Sequence, residues 1–156
     1  MALIPMMVNA QKVSIDNIGK AWLRSSGPII KSNEVQGYYF FYRLDEKSKK
    51  TRVYLLDIYD ENLESVAKKR IVGSKSLTLM ESAFDGENIM FKFYDAKERK
   101  FSFRVYDQKA EFVNKKDREV DFRSISQQEK MYLMQLGQGG DDVQSNQTLF
   151  AIPNKK

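Results

Sequence analysis

Lys31 and Glu81 are the ionisable side chains whose placement most invites a functional reading. They fall at matching positions of two stretches that read as copies of one another, each on the first strand of its copy. A charge on the innermost strand of a repeated sheet would line a central channel, where repeat architectures commonly bind ligands. The plainer reading is a solvent-facing residue on an ordinary strand. Three other groupings carry candidate chemistry. Asp60-Glu61-Asn62-Leu63-Glu64 places oxygen ligands at alternate positions, like the start of a calcium loop. It lacks the glycine and the bidentate glutamate such a loop requires, and its copy, Asp107-Gln108-Lys109-Ala110-Glu111, puts a lysine where a ligand would be. A β-turn opened by aspartate is the reading adopted for both. Residues 137–142, Gly-Gln-Gly-Gly-Asp-Asp, lack the Lys-Ser/Thr of a phosphate loop and read as a solvated linker. Basic residues recur at equivalent loops, Lys47, Lys49, Lys50 and Arg52 with Lys97, Arg99 and Lys100, and would form a positive band. Their acidic neighbours Asp45, Glu46, Asp95 and Glu98 dilute it, which suits solubilising hairpin tips.

What is missing narrows the chemistry further. The 156 residues contain no cysteine and no histidine. Zinc sites built on those ligands, thiol catalysis, Ser-His-Asp catalysis and a histidine proton shuttle are therefore excluded for this chain. An enzyme built on it would work with carboxylates, lysine or tyrosine, and glycoside hydrolysis would need two acids about 5 Å or about 6.5–9.5 Å apart. No acid pair stands out. The composition points to no cofactor and no metal. A net charge of +5 is compatible with an anionic partner without requiring one. Hydrophobic residues at 42% and aromatics at 12% are enough to fill a core, so disorder is not expected for most of the chain.

The elements that must position these residues are short alternating strands. Tyr59-Asp60-Glu61-Asn62-Leu63-Glu64-Ser65-Val66 recurs as Tyr106-Asp107-Gln108-Lys109-Ala110-Glu111-Phe112-Val113, and Phe40-Phe41-Tyr42-Arg43-Leu44-Asp45 aligns with Met90-Phe91-Lys92-Phe93-Tyr94-Asp95. The first unit, residues 28–71, predicts strands near 28–31, 37–44, 52–59 and 64–72. The second, residues 75–114, predicts strands near 77–84, 88–94, 100–106 and 111–114, with Asp85-Gly86 as a hairpin turn. Alternation places Tyr54, Leu56 and Ile58 on one face of the third strand, matched by Phe101, Phe103 and Val105 in the second unit. The second strands leave neither face polar and should be covered on both sides. Lys68, Lys69 and Arg70, with Lys115, Lys116 and Arg118, mark the fourth strands as exposed edges. This gradient predicts an all-β fold of antiparallel four-stranded repeat units, β-propeller-like blades of an incomplete propeller. The alternative is a β-sandwich or barrel. Residues 118–156 hold a capping box, Ser126-Gln127-Gln128-Glu129, a short helix stopped at Gly137, and a further strand at 148–152.

Met1-Ala2-Leu3-Ile4-Pro5-Met6-Met7-Val8 is apolar, and Val8-Asn9-Ala10 resembles a secretory cleavage site, so residues 1–10 read as the remnant of a signal peptide. Residues 11–156 then form the β-repeat domain, a fragment of a longer protein, since propellers have about four to eight blades. No stretch approaches the roughly 18 apolar residues of a transmembrane helix.

Asn33-Glu34-Val35-Gln36-Gly37-Tyr38-Tyr39-Phe40-Phe41-Tyr42 together with Tyr54-Leu55-Leu56-Asp57-Ile58-Tyr59-Asp60-Glu61-Asn62-Leu63 resembles an uncharacterised family of exported bacterial proteins that carries a domain-of-unknown-function label. The likeness extends from about Ser14 to the C-terminus. It implies a signal peptide, propeller-like repeats and a length greater than this chain's, and it implies no catalytic or binding residue. The expectation is a non-enzymatic binding or scaffold module, secreted or periplasmic in a Gram-negative envelope, whose ligand is a protein or glycan and whose candidate binding residues are Lys31 and Glu81. The alternatives are a carboxylate-based hydrolase such as a glycosidase, or a polyanion or nucleic-acid binder. The last is disfavoured because its aromatics would have to face outward as stacking platforms.

Overall fold

A computed structural model describes residues 20–44 and 50–137. Eight strands follow one another in chain order: β1 Ala21–Lys31, β2 Glu34–Leu44, β3 Thr51–Asp60, β4 Ser65–Ser74, β5 Leu77–Phe84, β6 Ile89–Asp95, β7 Lys100–Tyr106 and β8 Phe112–Glu119. A single helix among the described residues, α1 Gln127–Gly137, closes the series. The strands make two four-stranded antiparallel sheets, ordered β1-β2-β3-β4 and β5-β6-β7-β8, so each expected unit is one meander. The expected leader at 1–10, the strand at 148–152, the linker beyond Gly137 and the loop at 45–49 lie outside the described residues.

The turns follow from side-chain chemistry. Asp60 Oδ1 accepts from the amides of Asn62 and Glu64, both at 2.9 Å, and Asp107 Oδ1 accepts from Lys109 and Glu111, both at 2.8 Å. Leu63 and Ala110 take the left-handed position, at φ 62 and φ 59. The two hairpins are therefore the same structure, and their aspartates are committed to their own backbone rather than to a cation. At the β5–β6 hairpin the Asp85 amide donates to the Asn88 carbonyl, which makes Gly86 and Glu87 the central pair, one residue beyond the expected Asp85-Gly86. Gly86 has φ 103, the conformation a primed turn asks of its first central residue.

β1 begins earlier than its sequence suggests. Arg24-Ser25-Ser26-Gly27 are weak strand formers and read as a turn, yet Ser25, Ser26 and Gly27 pair with Phe41, Phe40 and Tyr39. Small side chains are needed there, because a Cβ on Gly27 would lie 2.8 Å from the Tyr39 ring. β1 then turns at Ser32 and Asn33, at φ 51 and φ 64, so β2 starts at Glu34. Tertiary packing outweighs local propensity at both ends of the strand.

The two sheets face each other across one core. Tyr39, Phe41, Tyr54, Leu56 and Ile58 from the first meet Ile89, Phe91, Phe93 and Tyr106 from the second. Phe41 and Phe91 have ring centroids 4.3 Å apart, and Tyr54 reaches Phe93 at 5.6 Å. The backbones come closest at β1 and β5. There Ser25 Oγ lies 2.6 Å from Ser82 Oγ, which lies 2.8 Å from the Tyr39 hydroxyl. Farther out, Tyr54 donates its hydroxyl hydrogen to the Leu77 carbonyl at 2.7 Å. The space between the sheets is thus a wedge, narrow at the serines and filled by rings where it widens.

Two expectations about facing fail. In the ladders Phe41 opposes Leu56, whereas its counterpart Phe91 opposes Arg104, not Phe103. β7 is therefore slipped by one residue relative to the repeat, which exchanges its two faces. Ser102, Arg104 and Tyr106 point between the sheets, and Phe101, Phe103 and Val105, expected in the core, point outward. The cause lies in the connections: the β2–β3 connection runs from Leu44 to its partner Val53, and the shorter β6–β7 connection from Tyr94 to its partner Phe101. β2 has no exposed residue from Gly37 to Leu44, as expected of a second strand, but Met90 on β6 is exposed, and the strand most fully buried on both faces is β3, from Val53 to Tyr59. β8 is exposed throughout and β4 over most of its length, in keeping with charged outer edges.

Phe41 is wholly buried in the ring stack, so Phe41→Ala is expected to destabilise the fold by about 3–5 kcal/mol in urea unfolding. Val72→Ala, at a position 61% exposed, should change stability by no more than about 0.5 kcal/mol.

Candidate functional site

The outward turn of β7 leaves an apolar face that α1 covers in part. Glu129 and Ser126 cap the helix reciprocally: the Ser126 amide donates to Glu129 Oε2 at 2.9 Å, and the Glu129 amide to Ser126 Oγ at 3.2 Å. Leu133 and Leu136 are buried against Tyr94, Phe101, Val120 and Phe122. Met131 and Met134 on the same helix stay exposed.

Between α1 and the β6–β7 hairpin lies a cleft of about 510 Å³. Tyr94, Phe122, Leu133 and Met134 form its apolar walls, and Ala96 and Gly137 contribute small surfaces where helix and hairpin approach. Arg99, exposed, and Lys130, half-buried, add two cations, and no acidic residue joins the lining among the described residues. The Arg99 guanidinium sits 5.9 Å from the centre of the Phe122 ring. Neutral Tyr94 completes the wall, its phenol pushed up by burial, with the nearby Arg99 opposing the shift and Asp95 adding to it.

Asp95 holds the hairpin wall in place. Its Oδ1 accepts from Ser76 Oγ at 2.6 Å and from the amides of Lys97 and Glu98 at 3.1 and 3.2 Å, while Oδ2 accepts from Ser74 Oγ at 2.7 Å. One carboxylate thereby ties the β6–β7 turn to the β4–β5 connection. Burial works to raise its pKa, but the two serines and two amides outweigh burial and hold it below the usual carboxylate range.

A second polar cluster lies on the far face of β3. Asp57 is wholly buried and accepts from Ser65 Oγ at 2.6 Å and from the Tyr59 hydroxyl at 3.0 Å, with Lys68 Nζ 3.4 Å away. Burial, then the Asp57 charge and hydrogen bond, push the Tyr59 phenol far up. Both Asp57 oxygens are occupied, so the cluster reads as a satisfied structural network. An aspartate inside Leu55-Leu56-Asp57-Ile58 was a visible signal of a buried polar group.

The structure places Lys31 and Glu81 apart from both clusters. Lys31 is exposed at the end of β1, beside the Ser32–Asn33 turn. Glu81 is exposed on β5 next to a bulge, and pairs with Lys92 at 3.4 Å. The residues opposite Phe41 and Phe91 on the inner strands are Ser25 and Ser82, and these touch. Of the expected basic band, Lys100 lies 3.9 Å from Glu98 and 3.5 Å from Asp117, Arg52 donates to the Leu77 carbonyl at 3.2 Å, and Arg99 lines the cleft. No short motif announces the cleft, whose walls come from β6, the segment after β8, and α1.

A family model matches residues 1–156 from end to end. The chain belongs to DUF6770, a family of unknown function. No curated protein and no solved structure matches it. Membership in DUF6770 agrees with the unknown-function label of the family likened to the Asn33–Tyr42 and Tyr54–Leu63 stretches, and it covers the whole chain. No helix of this DUF6770 chain is long and apolar enough to cross a membrane among the described residues.

The depressed carboxyl of Asp95 carries a pH signature. Its contribution to stability is complete above the unfolded pKa, about 3.9, and is lost as the pH falls through the lower folded value. The urea midpoint of the parent chain should therefore fall more steeply on acidification than that of Asp95→Asn, whose remaining acid dependence comes from other groups.

Proposed function

We propose that this DUF6770 chain is a non-enzymatic β-repeat binding module, exported to a bacterial envelope, and that the cleft beside α1 is its ligand seat. The observation that carries the reading is the cleft itself. Its size falls within the usual range for small-molecule sites, and apolar walls with a few placed polar groups are what such sites use. A glycan would leave those walls unmatched, so the expected ligand has an apolar body: a small molecule or a protein side chain. Among the described residues, the carboxyls whose pKa departs from the ordinary, Asp85, Asp95, Asp117 and Glu129, are all held down, whereas a glycosidase needs one raised to act as an acid.

The wedge between the sheets favours blade-like packing. Adjacent blades of a propeller converge on their inner strands around an axis and diverge outward. β1 and β5 converge in that way here, and in a closed ring they would border the axis, which keeps Lys31 and Glu81 as candidates for its lining. Export rests on the apolar residues 1–8 and the cleavage-like residues 8–10.

One observation favours a second reading. Phe103 faces outward, 37% exposed, and its ladder neighbours are Lys92 and Lys116. Aromatic rings set between cations are what a single-stranded polyanion binder presents. On that reading Lys116→Ala would release the chain from heparin at lower salt.

For the main reading, the neutral dye Nile red should bind the full chain at one site with a rise in fluorescence. Met134→Asp, at a position 58% exposed, should weaken that binding at least about tenfold, the cost of setting a charge in an apolar contact. Equal dye binding by the two proteins would remove the cleft as the seat.

A further inference from the structure

We infer that the cleft selects an anionic amphiphile, a single detached alkyl chain ending in a carboxylate, with the chain against Tyr94, Phe122, Leu133 and Met134 and the head between Arg99 and Lys130. This deepens the reading of the cleft as the ligand seat and rests on it.

The argument is one of charge against apolar surface. Among the described residues, two cations and no carboxylate line an otherwise apolar cavity. Lys130, half-buried beside apolar walls, gives up part of its hydration unless a counter-charge reaches it. Among the described residues, acids close in sequence are engaged elsewhere: Glu98 lies 3.9 Å from Lys100 Nζ, Asp95 is bound to two serines and two amides, Asp121 accepts from the Arg123 amide, and Glu129 caps α1. Lys130 has no ion-pair partner among the described residues, and Arg99 is engaged by the face of the Phe122 ring. The ring attracts the guanidinium through its face and leaves the guanidinium edges open to carboxylate oxygens. The hairpin holding Arg99 is fixed by Asp95, so the cation is positioned before a ligand arrives. Arg99 itself sits at φ 53, a conformation most side chains adopt only at a cost. A neutral amphiphile would satisfy the walls alone, and an amphiphilic cation would be repelled.

The test is calorimetric titration of the full chain with dodecanoate, dodecanol and dodecyltrimethylammonium, each below its aggregation threshold. Dodecanoate is expected to bind one to one, dodecanol at least about tenfold more weakly, and the ammonium compound not measurably. Raising the salt should weaken dodecanoate and leave dodecanol unchanged. Arg99→Asn, chosen because asparagine tolerates the local backbone, and Lys130→Gln should each narrow the gap between the acid and the alcohol. Equal affinity for dodecanoate and dodecanol in the parent chain would overturn the inference and leave the cleft as an apolar seat. Binding of neither, with no Nile red signal, would remove the seat as well. Co-sedimentation with phosphatidylglycerol vesicles without dodecanoate binding would also overturn it, assigning the cations to a lipid surface.

Discussion

The stacking of two sheets through their aromatic rings governs this molecule. A four-stranded meander with one apolar face is unstable alone and must bury that face. Here each sheet supplies the cover for the other, with Phe41 and Phe91 in closest contact and Tyr54 and Phe93 beside them. Burial drives the contact, and the offset and tilted ring geometries add a smaller specific term. The serines at the narrow end matter for a different reason. Ser25, Ser82 and Gly27 have little volume, so β1 and β5 approach closely, and the Tyr39 hydroxyl satisfies the polar atoms that approach buries.

The register of β7 decides what the second sheet can do. Aligned with the first repeat, Phe101, Phe103 and Val105 would have filled the wedge. The shorter β6–β7 connection slips the strand by one, and Arg104 enters instead, its guanidinium 5.2 Å from the Phe93 ring centre. Attraction to the ring face offsets part of the cost of holding that charge in a largely apolar space. The displaced apolar residues then need another cover, which α1 supplies at the Tyr94–Phe101 end. The cleft is what remains where that cover is incomplete. A change of one residue in strand pairing thus connects loop length to the presence of the cleft.

Much of the fold was legible because local signals and tertiary demands agreed. The duplicated aspartate turns, the capping box and the charged outer strands each have a chemical cause within a few residues, and each appears where expected. The start of β1 was not legible, because Ser25, Ser26 and Gly27 are selected for closeness to another sheet rather than for strand propensity. The facing of β7 was hidden for a related reason: both of its alternations contain aromatics, and pairing with β6 chose between them. The cleft was least visible. Tyr94, Phe122 and Leu133 are far apart in the chain and chemically ordinary, and only packing brings them together. Lys31 and Glu81 drew notice through a repeat offset that the ladders replace with the pair Ser25 and Ser82.

Since the chain has no cysteine, the convergence of the sheets can be measured with one engineered pair. Ser25→Cys with Ser82→Cys places two thiols where hydroxyl oxygens stand 2.6 Å apart, on the strands whose backbones approach closest. The account predicts rapid, quantitative formation of an intramolecular disulfide in the folded protein under mild oxidation, with raised thermal stability. Thiols that stay reduced while the protein is folded, or that form only intermolecular links, would show that the two sheets do not meet along β1 and β5.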